Sequence, residues 1–474
     1  MQEIRQTNQN DKDPDVLRFE EMENSDREQY FDVESIENMV EFYAESGQIG
    51  KAEQVLKLGL KLHPDSISLL IIKTYILIEK GEEDIAIPLL ENLLKFEETD
   101  IELYYNLGWA HLKTGNPEKA LSYFKNALSI AFDEHEELIL EIAFTLNEFD
   151  MSAQAIELLE ESILKYPNNE ILHLELAYTY DKENNFEKTL STYNRLLEIN
   201  SFSEFAWYNL AAFYSRNCDH KNALACFNLV LAINPDNGEA LFDKAGIFLE
   251  MKEYRKAFDC YIDCVSYKYE ILLCYHQIAY CLEQMKLNDL ALRIYEMTIN
   301  VAPAFLLPWL GYISLLINCK DVKKALEKST EAILISDMLP EFMYLRAKAL
   351  LLAKNYPKAL SWLERSIKNE PDNIRNIYEW LKVKKELRPK KDYFAILKEL
   401  KPRTANRYTL NYVSAGVAIL DLRDFSLAGK YLENALIESS GDFDYFLDTF
   451  SLSEDELFKN ETLNKILVKY FDYE

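Results

Sequence analysis

At 474 residues the chain exceeds the roughly 250–300 residues that one compact hydrophobic core serves, so it is several domains or one elongated array. Its 80 acidic and 52 basic residues give a formal charge of −28, a field that repels phosphate backbones and anionic lipid and so disfavours nucleic acid and membrane surfaces as partners. Apolar residues at 49% and aromatics at 13% exclude general disorder.

Residues 1–32 are acidic and poorer in apolar side chains than the chain as a whole, which predicts a mostly disordered tail. They lack the basic start and apolar run of an export signal. The most apolar stretch, 69–78, is interrupted by Lys73 and Thr74, too short and too polar to span a bilayer. The expectation is a soluble, cytoplasmic protein without membrane insertion.

From residue 33 a period of 34 sets in. Pro167, Pro235, Pro303 and Pro371 stand 68 apart, twice 34. Ala52, Ala86, Ala120, Ala155, Thr189, Ala223, Ala257, Ala291, Ala325 and Ala359 fill the single steps, all of 34 except one of 35 between Ala120 and Ala155. Self-similarity at such a period marks a repeat architecture. The unit beginning at Ile101 shows two stretches with apolar residues at spacings of three and four, separated by Gly115-Asn116-Pro117; this predicts helix, turn, helix. Gly108, Ala143, Ala177, Ala211, Ala245, Ala279 and Ala347 recur where the first helix would cross its partner, and small residues let helix axes approach to about 8 Å. Trp207, Tyr214, Phe227, Tyr261, Tyr275, Tyr295 and Trp309 would fill the layers between.

Departures from the period are equally legible. Pro88 falls inside a second helix and predicts a kink or a shifted boundary. The unit at 306–339 has Ile313 at the small position of its first helix, and the unit at 374–408 is degenerate, with Tyr393 in place of the framing Ala. A further unit at 409–441 returns to the pattern through Gly416, Ala428 and Ala435. Residues 442–474 place Leu463, Ile466, Leu467 and Tyr470 at helical spacing and predict a C-terminal capping helix.

No motif for chemistry emerges. Glycines never form a phosphate loop, and His135-Glu136-Glu137 is followed by Ile139 where a zinc protease would need its second His. The seven Cys lie between Cys218 and Cys319 without a C-x-x-C pair; Cys260 and Cys264, one helical turn apart, read as buried small side chains in a reducing compartment. Neither a cofactor, a metal nor an enzymatic activity is expected.

The Tyr-Tyr-Asn-Leu-Gly-Trp-Ala-His run from Tyr104, the Gly115-Asn116-Pro117 break and the framing alanines resemble the tetratricopeptide repeat family over 33–373, as ten repeats. The resemblance implies an all-α fold, a right-handed α-solenoid or superhelix of about twelve helix-turn-helix repeats. It also implies a protein-protein interaction scaffold or adaptor that binds a peptide or protein on a concave face lined by first helices. The family's ligand positions fall here on Tyr75, Tyr105, Asn106, Trp109, Phe144, Tyr178, Phe205, Tyr208, Asn209, Phe242, His276, Tyr280 and Tyr344. Between them lie Glu79, Glu137, Glu141, Glu175, Asp243, Glu250 and Glu283, an aromatic and acidic lining that suits a partner with apolar and basic side chains. Asn38, Asn106 and Asn209 hold one position of the clamp with which some family members bind chaperone tails, but Glu37, Tyr105 and Tyr208 stand where its lysine belongs, so that clamp is not expected. Against the acidic background, 382–407 carries ten basic and three acidic residues, a local charge of +7. It reads as a solvated linker, or as a contact for nucleic acid, for an acidic protein or for the chain's own 1–32. Two further readings stay open: an accessory subunit of a larger envelope, secretion or modification complex, and a nucleic-acid-binding helical repeat using this basic island, which the net charge disfavours.

Overall fold

The computed structural model describes residues 14–23, 29–131, 135–400 and 406–471, and every regular element among them is helical. It divides into two compact units, Met1–Phe213 and Tyr214–Glu474. The first holds α1 (Pro14–Glu23), α2 (Val33–Glu45), α3 (Ile49–Leu62), α4 (Ile67–Glu79), α5 (Glu83–Leu93), α6 (Ile101–Lys113), α7 (Pro117–Ile130), α8 (His135–Glu148), α9 (Ser152–Lys165), α10 (Glu170–Lys182), α11 (Phe186–Ile199) and most of α12 (Glu204–Arg216). The second holds α13 (His220–Ile233), α14 (Gly238–Glu250), α15 (Tyr254–Ser266), α16 (Ile271–Gln284), α17 (Asn288–Val301), α18 (Leu306–Asn318), α19 (Val322–Ile335), α20 (Pro340–Leu352), α21 (Tyr356–Asn369), α22 (Ile374–Leu387), α23 (Tyr393–Leu397), α24 (Arg407–Val417), α25 (Phe425–Glu438), α26 (Phe443–Phe450), α27 (Glu454–Phe458) and α28 (Glu461–Tyr470).

Local sequence explains where the helices start and stop. Asp32, Ser66, Asp100, Asn169, Asn237 and Asn373 precede first helices, and their side-chain oxygens accept from backbone N–H groups two or three residues on, satisfying donors that a helix start leaves orphaned. Each turn within the ten repeats of 33–373 passes through one left-handed residue: Gly47, Gly81 and Gly115, then Asp150, Asn184, Cys218, Lys252, Lys286, Lys320 and Lys354, the last seven at φ between 55° and 64°. The N–H of the next residue then returns to a carbonyl of the first helix, as in Gln48 to Tyr43 at 2.8 Å and Leu287 to Leu282 at 2.9 Å, the closure that ends a helix with an αL cap.

Packing follows the period. Ala52, Ala86, Ala120, Ala155, Thr189, Ala223, Ala257, Ala291, Ala325, Ala359 and Ala428 are all 0% exposed. Within each unit a first helix touches its own second helix, and the second helix touches the first helix of the next repeat, as α4 does with α5 and α5 with α6, and α18 with α19 and α19 with α20; the repeats therefore stack as a helical-repeat solenoid. A β-carbon on Gly108 would lie 2.4 Å from the Phe124 ring, which shows why that crossing takes no larger residue. At 306–339 the bulky Ile313 is itself fully buried, and Gly311, two residues earlier, admits the Tyr295 ring of the preceding repeat. Cys260 and Cys264 are buried as expected, and all seven cysteines are unpaired.

The loops between repeats are tied by ring N–H groups. The indoles of Trp207 and Trp309 donate to the carbonyls of Ser201 at 2.9 Å and Pro303 at 3.0 Å, and His173 Nε2 meets the Pro167 carbonyl at 3.1 Å. The three rings sit 34 and 102 residues apart, one and three periods.

Three expectations change. In the predicted 1–32 tail, residues 1–13 and 24–28 lie outside the described residues, but Pro14–Glu23 is helical and buries Val16 and Phe19 against Phe31, Ile36 and Tyr43. Val16 and Phe19, with Met22 partly buried beside them, cover an apolar face at the end of the repeat stack. Pro88 remains inside α5, which ends at Leu93 after 11 residues where neighbouring second helices run 14; the boundary moves. The single helix expected over 442–474 is three, α26 to α28, the first closed by Ser451 at φ 53°.

Candidate protein-interaction face

On the first helices of the first unit, Tyr75 is 43% exposed, Phe144 55%, Tyr178 52% and Phe205 73%. Rings this exposed contribute little to the core and leave apolar surface open to a partner. Other predicted positions turn inward. Asn106 is 2% exposed and Trp109 8%; Trp109 lies beneath Tyr75, ring centres 5.3 Å apart, with the Lys113 ammonium 4.7 Å from its ring. Both are thus withdrawn from direct contact, because the frame that aims one residue of a helix outward carries its neighbours onto the adjacent helix. Tyr105 is half-buried and shares a 2.8 Å hydroxyl hydrogen bond with Thr145 of α8. Tyr208 is half-buried, and the Asn209 amide donates to the Phe205 carbonyl of its own helix at 2.8 Å, which leaves its second N–H and its oxygen for other partners.

Acidic groups converge beside these rings. Glu102 meets solvent but is walled by protein, and its carboxyl is pushed above the ordinary range first by lost hydration, then by Asp100, Glu141 and Glu37. Carboxylates of α2, α6 and α8 therefore feel one another. The Tyr105 phenol is pushed up by burial, against the Thr145 hydrogen bond and with help from Glu141 and Glu148. Glu175 of α10 is likewise raised by burial, although Asn147 donates to it at 2.9 Å.

In the second unit Phe242 is half-buried and packs edge-on against Tyr261 at 5.2 Å. His276, Tyr280 and Tyr344, from α16 and α20, meet around a cavity of about 570 Å³ that Glu283, Glu341, Lys348 and Arg375 also line. The Arg375 guanidinium lies 4.4 Å over the Tyr344 ring and Lys348 pairs with Glu379 at 3.2 Å. Arg375 Nε, Glu341 Oε2 and His276 Nδ1 are buried without a hydrogen-bond partner. Burial raises Tyr344 to about 12 and lowers His276, so both stay neutral near pH 7. Arg375, Lys348 and Glu341 escaped the sequence reading. The only signal for Arg375 is its place at the start of a first helix in the degenerate unit, where the frame is hard to apply.

Sequence profiles of the tetratricopeptide repeat match residues 101–133, 206–237 and 325–374, on the helix pairs just described. This is a tetratricopeptide repeat protein. Comparison with curated proteins finds no match. Among solved structures this tetratricopeptide chain is similar to YrrB, described as having an unusual peptide-binding site, at 16% identity over 40% of this chain and 96% of that one, TM-score 0.33. It is similar to a tetratricopeptide repeat protein of Parabacteroides merdae at 18% identity over 52% and 97%, TM-score 0.39, and to yeast Tom70 at 13% over 92% and 98%, TM-score 0.40.

The tetratricopeptide stack engages part of its basic island in ion pairs. Glu399 draws Lys384 at 3.7 Å, Arg388 at 2.8 Å and Lys391 at 2.6 Å, and Lys382 pairs with Glu379 at 2.7 Å. No helix among the described residues is long and apolar enough to cross a membrane.

Proposed function

We propose that this chain is a non-catalytic scaffold that holds a peptide or protein segment bearing apolar and basic side chains on the first-helix face of its first unit. The observation that carries this reading is the row of exposed rings Tyr75, Phe144, Tyr178 and Phe205 on the helices that also bear Glu79, Glu141 and Glu175. Aromatic anchors supply contact area at small entropic cost, and flanking carboxylates select lysine and arginine. The formal charge of −28 repels phosphate backbones and disfavours a nucleic-acid role. Seven unpaired cysteines support a reducing, cytoplasmic setting.

The test is capture of partners from the native cell by the tagged full chain and by Phe144→Ala/Tyr178→Ala, with mass spectrometry of what is retained. Both side chains are more than half exposed, so the variant keeps its helical circular dichroism. Partners retained by the parent chain are expected to be lost; identical capture by both proteins overturns the assignment of this face.

A further inference from the structure

The repeat at 374–408 has an incomplete second helix. Its neighbours α21 and α25 run 14 residues, whereas α23 has five. Its last residue is Leu397, with Lys398 as the C-cap and Lys398 to Leu400 outside the helix. Elsewhere the end of a second helix lies beside the start of the next first helix, as the short 370–373 connection from α21 to α22 requires. Among the described residues, those between α23 and α24 add no further helical turn beside α24. Arg407, Leu410, Asn411 and Ser414 form a stripe at helical spacing along α24, and they line a groove of about 490 Å³ together with Leu397 and Leu400. Phe394 and Tyr431, stacked at 5.3 Å, complete its apolar lining. The intervening Lys401-Pro402-Arg403-Thr404-Ala405 lies outside the described residues and has no large apolar side chain to offer the groove.

The chemistry of the rim selects the occupant. None of the lining residues is acidic. Lys398 forms no ion pair among the described residues, and Arg407, 83% exposed, pairs with Glu438 at 3.5 Å through Nε. The buried Asn411 Nδ2 has no hydrogen-bond acceptor. We propose that this groove binds an amphipathic helix of another protein, apolar on one face and flanked by glutamate or aspartate, which lies along this stripe of α24. The apolar face covers Leu397, Leu400 and Leu410, its acids meet Lys398 and Arg407, and a carboxylate or carbonyl accepts from Asn411. This surface is separate from the acidic face of the first unit and opposite to it in charge preference.

The probe is a fluorescein-labelled, capped 14-residue peptide of leucine, alanine and glutamate with the leucines on one helical face, measured by anisotropy against the full chain beside a scrambled peptide of equal composition. The patterned peptide is expected to bind about tenfold tighter than the scrambled one, and Lys398→Glu/Arg407→Glu to remove about tenfold of that affinity, or 1.4 kcal/mol. Ser414→Trp, which fills the groove without changing charge, is expected to abolish binding, with circular dichroism as the check on folding. Equal affinity for both peptides, or binding untouched by both variants, overturns the proposal. So does binding of dodecanoate but not peptide at this groove, or self-association that these variants abolish, since either result gives the groove another occupant.

Discussion

The imidazole of His173 is 3% exposed, its Nε2 joined to the Pro167 carbonyl and its Nδ1 buried without a partner. A charged ring would need an acceptor at Nδ1 that is absent, so burial holds its pKa below the ordinary 6.5. Because the folded value is depressed, the unfolded chain binds the proton more readily; the stabilisation is complete above pH 6.5 and is lost as pH falls below it. The denaturation midpoint is expected to drop between pH 7 and 5.5, and His173→Gln, which can still donate to Pro167, to show a shallower drop. Parallel curves would exclude His173 as the titrating group. At the turn residues the backbone decides. Gly115 sits at φ 73° with nothing within 4 Å of the place a β-carbon would take, so Gly115→Ala carries only the left-handed cost of about 1 kcal/mol. Conversely, Lys286 and Lys320 carry that cost already at φ 64° and 59°, and Lys286→Gly/Lys320→Gly is expected to raise stability by about 1 kcal/mol in urea unfolding.

Among the helices, α1 shows how little sequence signal a docked element needs. Phe19 packs 6.2 Å from the Tyr43 ring, Arg18 lies 4.9 Å over Phe31, and Ser35 Oγ donates to Asp15 at 2.6 Å. Removing a buried Phe costs about 3–5 kcal/mol where the whole fold depends on it. Here the loss is capped by the docking energy of one terminal helix, since repeats contact only their neighbours. Phe19→Ala is therefore expected to speed amide exchange in 14–23 and α2 while leaving α8 to α11 unchanged; uniform acceleration would show that the stack unfolds as one. Helix α5 makes the complementary point. Pro88 was visible as a disturbance, but whether it would kink the helix or shorten it depended on what the helix packs against, and Ala86 and Leu90, both 0% exposed, hold it in place.

Across the molecule, 80 acidic side chains against 52 basic ones make association with a basic partner dependent on ionic strength. The screening length falls from about 14 Å at 50 mM to about 6 Å at 300 mM salt, and capture on the first-helix face is expected to weaken about tenfold over that range. Glu79→Gln/Glu141→Gln should flatten the dependence, whereas an affinity insensitive to salt would leave the acids without a role in binding.

The repeat, its length and its framing alanines were written in the sequence, because helix pairs that contact only their neighbours impose the same small and large residues every 34 positions. What a side chain does at a given position was decided by tertiary packing. Tyr75 and Trp109 occupy equally promising ligand positions, yet one ring covers the other. Asn106 and Asn209 share a repeat position, but one is buried and the other satisfies its own helix. The groove beside α24 likewise required the structure: the sequence marks the repeat as irregular, but only the folded chain shows which stripe of α24 its shortened helix leaves uncovered. Periodicity records the contacts every repeat must make, and the surfaces left for a partner are those where neighbouring helices fail to cover one another.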